Sequence, residues 1–207
     1  MFNAQNQHDS PMATIWQNFS ALRMGDIPFV ILLISVLQII LLMRLNVEMR
    51  MLLMFISNKP TEIWRCITYM FLHEDWSHLL GNIVIQMIAA FFLERRHKRI
   101  KILFLYITSG VIGVLMATCF AEGVVLGASG AACGLLIANV TDLFFNRSLY
   151  SQCETYVLIV ITIIIVLADI QAETLHPVVI HVGGGLSGLL LGPLLFKVFR
   201  TIKFRNA

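Results

Sequence analysis

The chain has 207 residues, of which 58% are hydrophobic and only 13% charged, with a mean hydropathy of +0.82. Soluble domains carry charge on about a quarter of their residues, so this composition excludes an ordinary water-soluble protein and points to a bilayer as solvent. The net charge of +3 is small and confined to particular loops, which speaks for anionic head groups and against a nucleic-acid partner.

Residues 1–26 lack the charged start, apolar core and small-residue cleavage site of a removable leader. Ile15, Trp16, Phe19 and Leu22 recur at helical spacing, and a short interfacial helix is expected there. Residues 27–200 hold six apolar blocks, at 27–45, 79–93, 102–121, 124–145, 155–169 and 177–196. They predict an all-α polytopic membrane protein, a bundle of six transmembrane helices, with a short basic tail at 201–207. The first block is expected to act as an uncleaved anchor. The second and fifth fall short of the ~20 residues that a spanning helix needs. Between the first two blocks, Asn58-Lys59-Pro60 signals a turn, and Trp64, Ile67, Tyr69, Phe71 and Leu72 follow it. A joint this apolar is expected to lie in the membrane interface rather than in water.

Lysine and arginine placement orients the bundle. With the N-terminus in the cytosol, eleven of the fifteen basic residues fall on the cytosolic side, which fits the positive-inside rule. Both termini are then cytosolic. The glycosylation triplets beginning at Asn18, Asn139 and Asn146 would lie in cytosol or membrane and carry no glycan. Cys66 and Cys119 fall near the opposite side, where a disulfide between them is one option that spacing does not decide.

The same topology gathers polar residues. His78 and Asn82 open the second span, Gly127-Ala128-Ser129-Gly130 the fourth, and His181 the sixth, all at the non-cytosolic end. Polar groups at membrane depth are costly unless partnered or functional. A fourth helix running from Ser129 to Phe145 would be about 25 Å long, which sets the serine below the surface of a roughly 30 Å hydrocarbon core. Its free N–H groups would face a developing oxyanion. Gly130, Gly134 and Ala138 recur every four residues, as do Gly184, Gly188 and Gly192. Two such faces let helix backbones approach closely, bringing Ser129 to His181 as nucleophile and general base. Asn82, with His78, is expected to donate to the oxyanion. His73, five residues before His78, is expected to point to another face. Asp142 lies too far along the fourth helix, and Asp169 and Glu173 are left unassigned. The sequence therefore predicts a serine–histidine dyad without an orienting acid. The histidine spacing offers no metal pair, and no cofactor is expected.

These segments together resemble the rhomboid intramembrane serine proteases. The pattern runs Trp64-Arg65, Phe71-Leu72-His73, His78-Leu79, Asn82, Leu93-Glu94 with His97, Gly127-Ala128-Ser129-Gly130, and His181 with Gly184 and Gly188. The wording is most like that of animal members in the secretory pathway. The resemblance implies a six-helix core, a Ser129–His181 dyad, an oxyanion site using His78, Asn82 and the Ser129 backbone N–H, and Gly127 within the oxyanion and substrate-binding set. It also implies single-span membrane proteins as substrates, cut within or beside their transmembrane helix, in a Golgi, endosomal or plasma membrane. Some positions depart from the pattern. Cys133 stands where an aromatic residue is usual, Ile180 where a small one is, and Lys98 where glycine is frequent. Such departures keep open a second reading, a rhomboid-like pseudoprotease that binds membrane clients without cutting them. A small transporter would show internal repeats, and none is present.

Overall fold

The computed structural model describes residues 27–120, 122–171 and 175–205. The expected interfacial helix at 15–22, the triplet at Asn18 and the carboxylate of Glu173 lie outside the described residues. Among the described residues eight α-helices follow in order: α1 Phe29–Arg44, α2 Val47–Leu53, α3 Arg65–Thr68, α4 Trp76–Arg96, α5 Arg99–Thr118, α6 Ser129–Phe145, α7 Gln152–Ile170 and α8 Leu175–Arg205. The six long ones form the expected all-α bundle. By length and composition α4, α5, α7 and α8 can each cross a membrane, while α1 and α6 are apolar but shorter.

Helices α4 and α7 are longer than the apolar blocks that announced them, at 21 and 19 residues. The extra turns are polar and capped. Asp75 accepts a hydrogen bond from the His78 N–H at 2.8 Å and starts α4 before the apolar run begins. Ser151 and Glu154 form a capping box that does the same for α7. Conversely, the fourth span does not begin at residue 124. Val124–Val125 is a strand, β2, paired antiparallel with β1, Phe55–Ile56, in the register Phe55↔Val125 and Ile56↔Val124. The β-branched pair at 124–125 followed by Gly127 suits an extended segment ending in a turn. At the far end α8 runs on through most of the expected tail, with no glycine or proline after Pro193 to stop it.

Helix α6 is the centre of the bundle. Twelve of its seventeen residues are buried, among them Asn139 and Asp142, as expected of a helix apolar on all sides. It packs most extensively on α8, and α5 lies against both. A Cβ built on Gly184 would overlap the Gly130 carbonyl, and one on Gly188 the Gly134 carbonyl. The two small-residue ladders therefore meet as backbone on backbone. Helix α7 is the contrast: Leu158 is its one buried residue, and Ile159, Ile163, Ile164, Val166 and Leu167 face outward. So broad an apolar exterior suits hydrocarbon rather than water.

Buried polar side chains tie the helices together. The Gln38 amide donates to the Tyr106 hydroxyl and the Met70 carbonyl, each at 3.1 Å. The Gln86 amide donates to Ser35 Oγ and Gln38 Oε1, both at 2.8 Å. This closed network joins α1, α4 and α5. At the end opposite Ser129, Asp142 accepts from the Tyr150 hydroxyl at 2.8 Å, lies 3.0 Å from His97 Nε2, and accepts from the Asn146 amide. The Asn139 amide donates to Ala89 O at 2.8 Å and Leu135 O at 3.0 Å inside the bundle, which leaves that triplet no room for glycan.

The joint between α1 and α4 is structured rather than free. Arg65 is 2% exposed. Its guanidinium donates to Glu62 and, at 2.6 Å each, to the carbonyls of Met51 and Met54. The Trp64 indole donates to Leu52 O and the Thr68 hydroxyl to Leu53 O. Cys66 and Cys119 are both free, so the optional disulfide is not formed.

Candidate active site

Ser129 opens α6 because of what precedes it. Gly127 has φ +121°, a left-handed conformation that side chains with a Cβ rarely adopt, and its N–H donates to Tyr69 O at 3.1 Å. The chain turns there, and the first intrahelical bond is from the Ala132 N–H to Ala128 O at 2.9 Å. The N–H groups of Ser129, Gly130 and Ala131 precede that ladder and form the positive end of the helix.

His181 lies in the second turn of α8, and the glycine ladder that begins at Gly184 holds it against α6. Ser129, His181, His78 and Asn82 line one cavity of about 470 Å³, with Cys133, Ile165 and Gly81 also in its wall. The bundle thus gathers the four residues that topology alone placed at one depth. Gly127 is not in that wall. It lines an adjoining cavity of about 390 Å³, which Ser129 and His78 share. The His78 ring fills the space beside Gly127, where a Cβ would come within 2.8 Å of it.

Asn82 is buried, and its amide donates to the His78 carbonyl at 2.9 Å, one turn back on α4. His73 does not point away from His78. The two rings meet edge to face with centroids 5.2 Å apart. Helical spacing misjudges this pair because His73 precedes α4 and is not part of its turn. Its ring is fully buried with both nitrogens unpartnered, and Arg50 donates to its carbonyl at 2.8 Å. Burial, helped by His78 and Arg50, lowers the His73 pKa to about 4.

The hydrogen bond that orients the His181 ring comes from a residue that sequence reasoning left unassigned. Asp169 Oδ1, in the last turn of α7, lies 2.6 Å from His181 Nδ1, with the two side chains 18% and 19% exposed. An ionised carboxylate only accepts, so in this pair Nδ1 is the donor, and in the neutral imidazole Nε2 is then the acceptor. Among the described residues, no hydrogen bond joins Ser129 Oγ to the His181 ring. Such contacts commonly tighten only when substrate fills the site.

The comparisons with known proteins agree with this architecture. The sequence matches the family model described as Rhomboid domain over residues 60–198. Over 137 residues, 65% of this chain and 43% of that protein, it is 34% identical to RHOMBOID-like protein 7 of Arabidopsis thaliana. It is 35% identical over 135 residues to RHOMBOID-like protein 1 of the same plant, covering 63% and 34%. Rhomboid-related protein 2 of Mus musculus is 24% identical over 159 residues, covering 71% and 53%. The matched region is thus between a third and about half the length of these relatives. This chain belongs to the rhomboid family and is a membrane-embedded helical bundle.

Proposed function

We propose that the chain is an intramembrane serine endopeptidase that cuts single-span membrane proteins within or next to their transmembrane helix. One observation carries this reading. A serine at a helix N-terminus and a histidine bonded to a carboxylate share a cavity, lined by both polar and apolar residues, inside a bundle whose outside is apolar.

The chemistry follows from the placement. His181 Nε2 takes the proton of the Ser129 hydroxyl as the oxygen attacks the carbonyl carbon of the scissile peptide. The carbonyl oxygen becomes an oxyanion, held by the free N–H groups at the start of α6 and by side-chain donors of His78 and Asn82. Collapse breaks the C–N bond, and the imidazolium returns its proton to the leaving amine. Water, deprotonated by the same imidazole, then hydrolyses the acyl-enzyme and regenerates the serine. No metal or cofactor takes part. The basic-residue bias supports cytosolic termini, which puts the cavity near the lumenal or extracellular leaflet of a secretory-pathway membrane.

The test is reconstitution of the protein in liposomes with a single-span substrate. Cleavage by the wild type, and none by Ser129→Ala or His181→Ala, is the expected result. Full cleavage by either variant contradicts the dyad. The second reading, a client-binding pseudoprotease, draws on Cys133 beside the site and on the absence of a Ser129–His181 hydrogen bond. It expects stable binding of membrane clients and no cleavage.

A further inference from the structure

We infer that Asp169 is a positioning residue that fixes the tautomer and the ring plane of His181, so that this chain works with a serine–histidine–aspartate relay of contacts rather than a bare dyad. The inference rests on the protease reading and deepens it. Helix α8 carries the imidazole, and the last turn of α7 delivers a carboxylate oxygen to Nδ1 at 2.6 Å. The cavity that holds Ser129 includes His181 in its wall but not Asp169. The carboxylate therefore touches the ring without lining the reaction space, which is the place of an orienting group rather than a reacting one.

The direction of the bond matters. With Nδ1–H donated to Asp169, Nε2 is held as the acceptor that Ser129 needs. When the ring takes the serine proton, the adjacent negative charge favours the imidazolium, and the carboxylate itself takes no proton. The surroundings make Asp169 the principal constraint on the ring. The remaining titratable groups of the cavity wall are His78, Asp75 and Cys133, and none of them is hydrogen-bonded to the imidazole among the described residues. Because α7 has only Leu158 buried against the bundle, the bond to His181 is also a polar tie between α7 and α8 at the site end. Asparagine at 169 could instead donate its amide to Nδ1 and place the ring proton on Nε2, facing the serine.

Two measurements test this on the full-length protein in detergent. The first is the rate of covalent labelling of Ser129 by a fluorophosphonate, for wild type, Asp169→Asn, Asp169→Ala, Asp169→Glu and Ser129→Ala. The second is the ¹⁵N spectrum of the labelled His181 ring, assigned by its loss in His181→Ala. Asp169→Asn and Asp169→Ala are expected to label about tenfold more slowly or worse, short of the ~10⁴ that loss of the acid costs in soluble triad hydrolases. Asp169→Glu should recover part of the rate. The wild-type ring should show the Nδ1–H tautomer, and Asp169→Asn should lose it without a matching loss of thermal stability. An Asp169→Asn variant that labels at the wild-type rate overturns the inference alone. So does one that labels slowly with an unchanged tautomer, since that marks a purely structural role. A wild type that labels no better than Ser129→Ala overturns the protease reading, and the inference falls with it.

Discussion

The backbone of Gly184 on α8 rests directly on the carbonyl of Gly130 on α6, with no space for a single added carbon between them. Gly130 follows Ser129, and Gly184 lies three residues beyond His181, so this contact sets how close the serine can come to the imidazole. A side chain at 184 would push the two helices apart at the site itself. Gly184→Val is expected to lose about 1–3 kcal/mol of stability, the typical cost of overpacking a tight core, and with it all labelling of Ser129. The control is Gly81→Ala, where an added Cβ has nothing within 4 Å. Thermal unfolding in detergent separates the two: a large drop for the first and almost none for the second.

The joint after α2 depends on one buried cation. Arg65 satisfies the carbonyls of Met51 and Met54 and pairs with Glu62, while Trp64 and Thr68 fasten to Leu52 and Leu53. Removing the guanidinium leaves two carbonyls and a carboxylate without it. Arg65→Ala is expected to destabilise the joint by about 1–3 kcal/mol, chiefly through the Met51 and Met54 carbonyls left without a donor. Limited proteolysis should then cut within residues 46–75 while the helical bundle stays intact. An Arg65→Ala variant as resistant as the wild type would contradict this role.

His73 gives the joint a pH dependence. Its ring is buried without partners, and its pKa falls from the ordinary value of 6.5 to about 4. As pH drops below 6.5 the unfolded chain takes up this proton first, and the folded chain resists until about pH 4. The stabilisation is therefore complete above pH 6.5 and is lost as pH falls to 4, amounting to about 3 kcal/mol in all. Replacing the ring by an uncharged one, His73→Phe, should flatten this part of the stability profile. Unfolding midpoints measured between pH 7 and pH 4 check it; equal slopes for the two proteins would show that another group is responsible.

The spans, the Ser129 helix start and the glycine ladders were legible in the sequence because each is a local periodic signal. Block hydropathy marks a helix, and small residues every fourth position mark a face that another backbone can meet. Helix ends were less legible where capping residues extend them, as Asp75 and Ser151 do, since hydropathy stops before the helix does. The pairing of Val124–Val125 with Phe55–Ile56 was hidden, because two-residue strands carry no period and the apolar valines read as part of the next span. Asp169 was missed for a different reason. Its meeting with His181 depends on how α7 is rotated and how the chain returns into α8, which spacing does not encode. Gln38, Gln86 and Tyr106 did carry a signal. Polar residues inside apolar blocks require partners at membrane depth, and three of them found one another.

The central claim is that the Ser129 hydroxyl is an activated nucleophile, and its covalent capture tests that most directly. Purified full-length protein is incubated with a fluorophosphonate, and the modified residue is located by mass spectrometry of its peptides. The account predicts one adduct, on Ser129, that disappears in His181→Ala. An unmodified Ser129 in folded protein that still binds a transmembrane client would contradict it and favour the pseudoprotease.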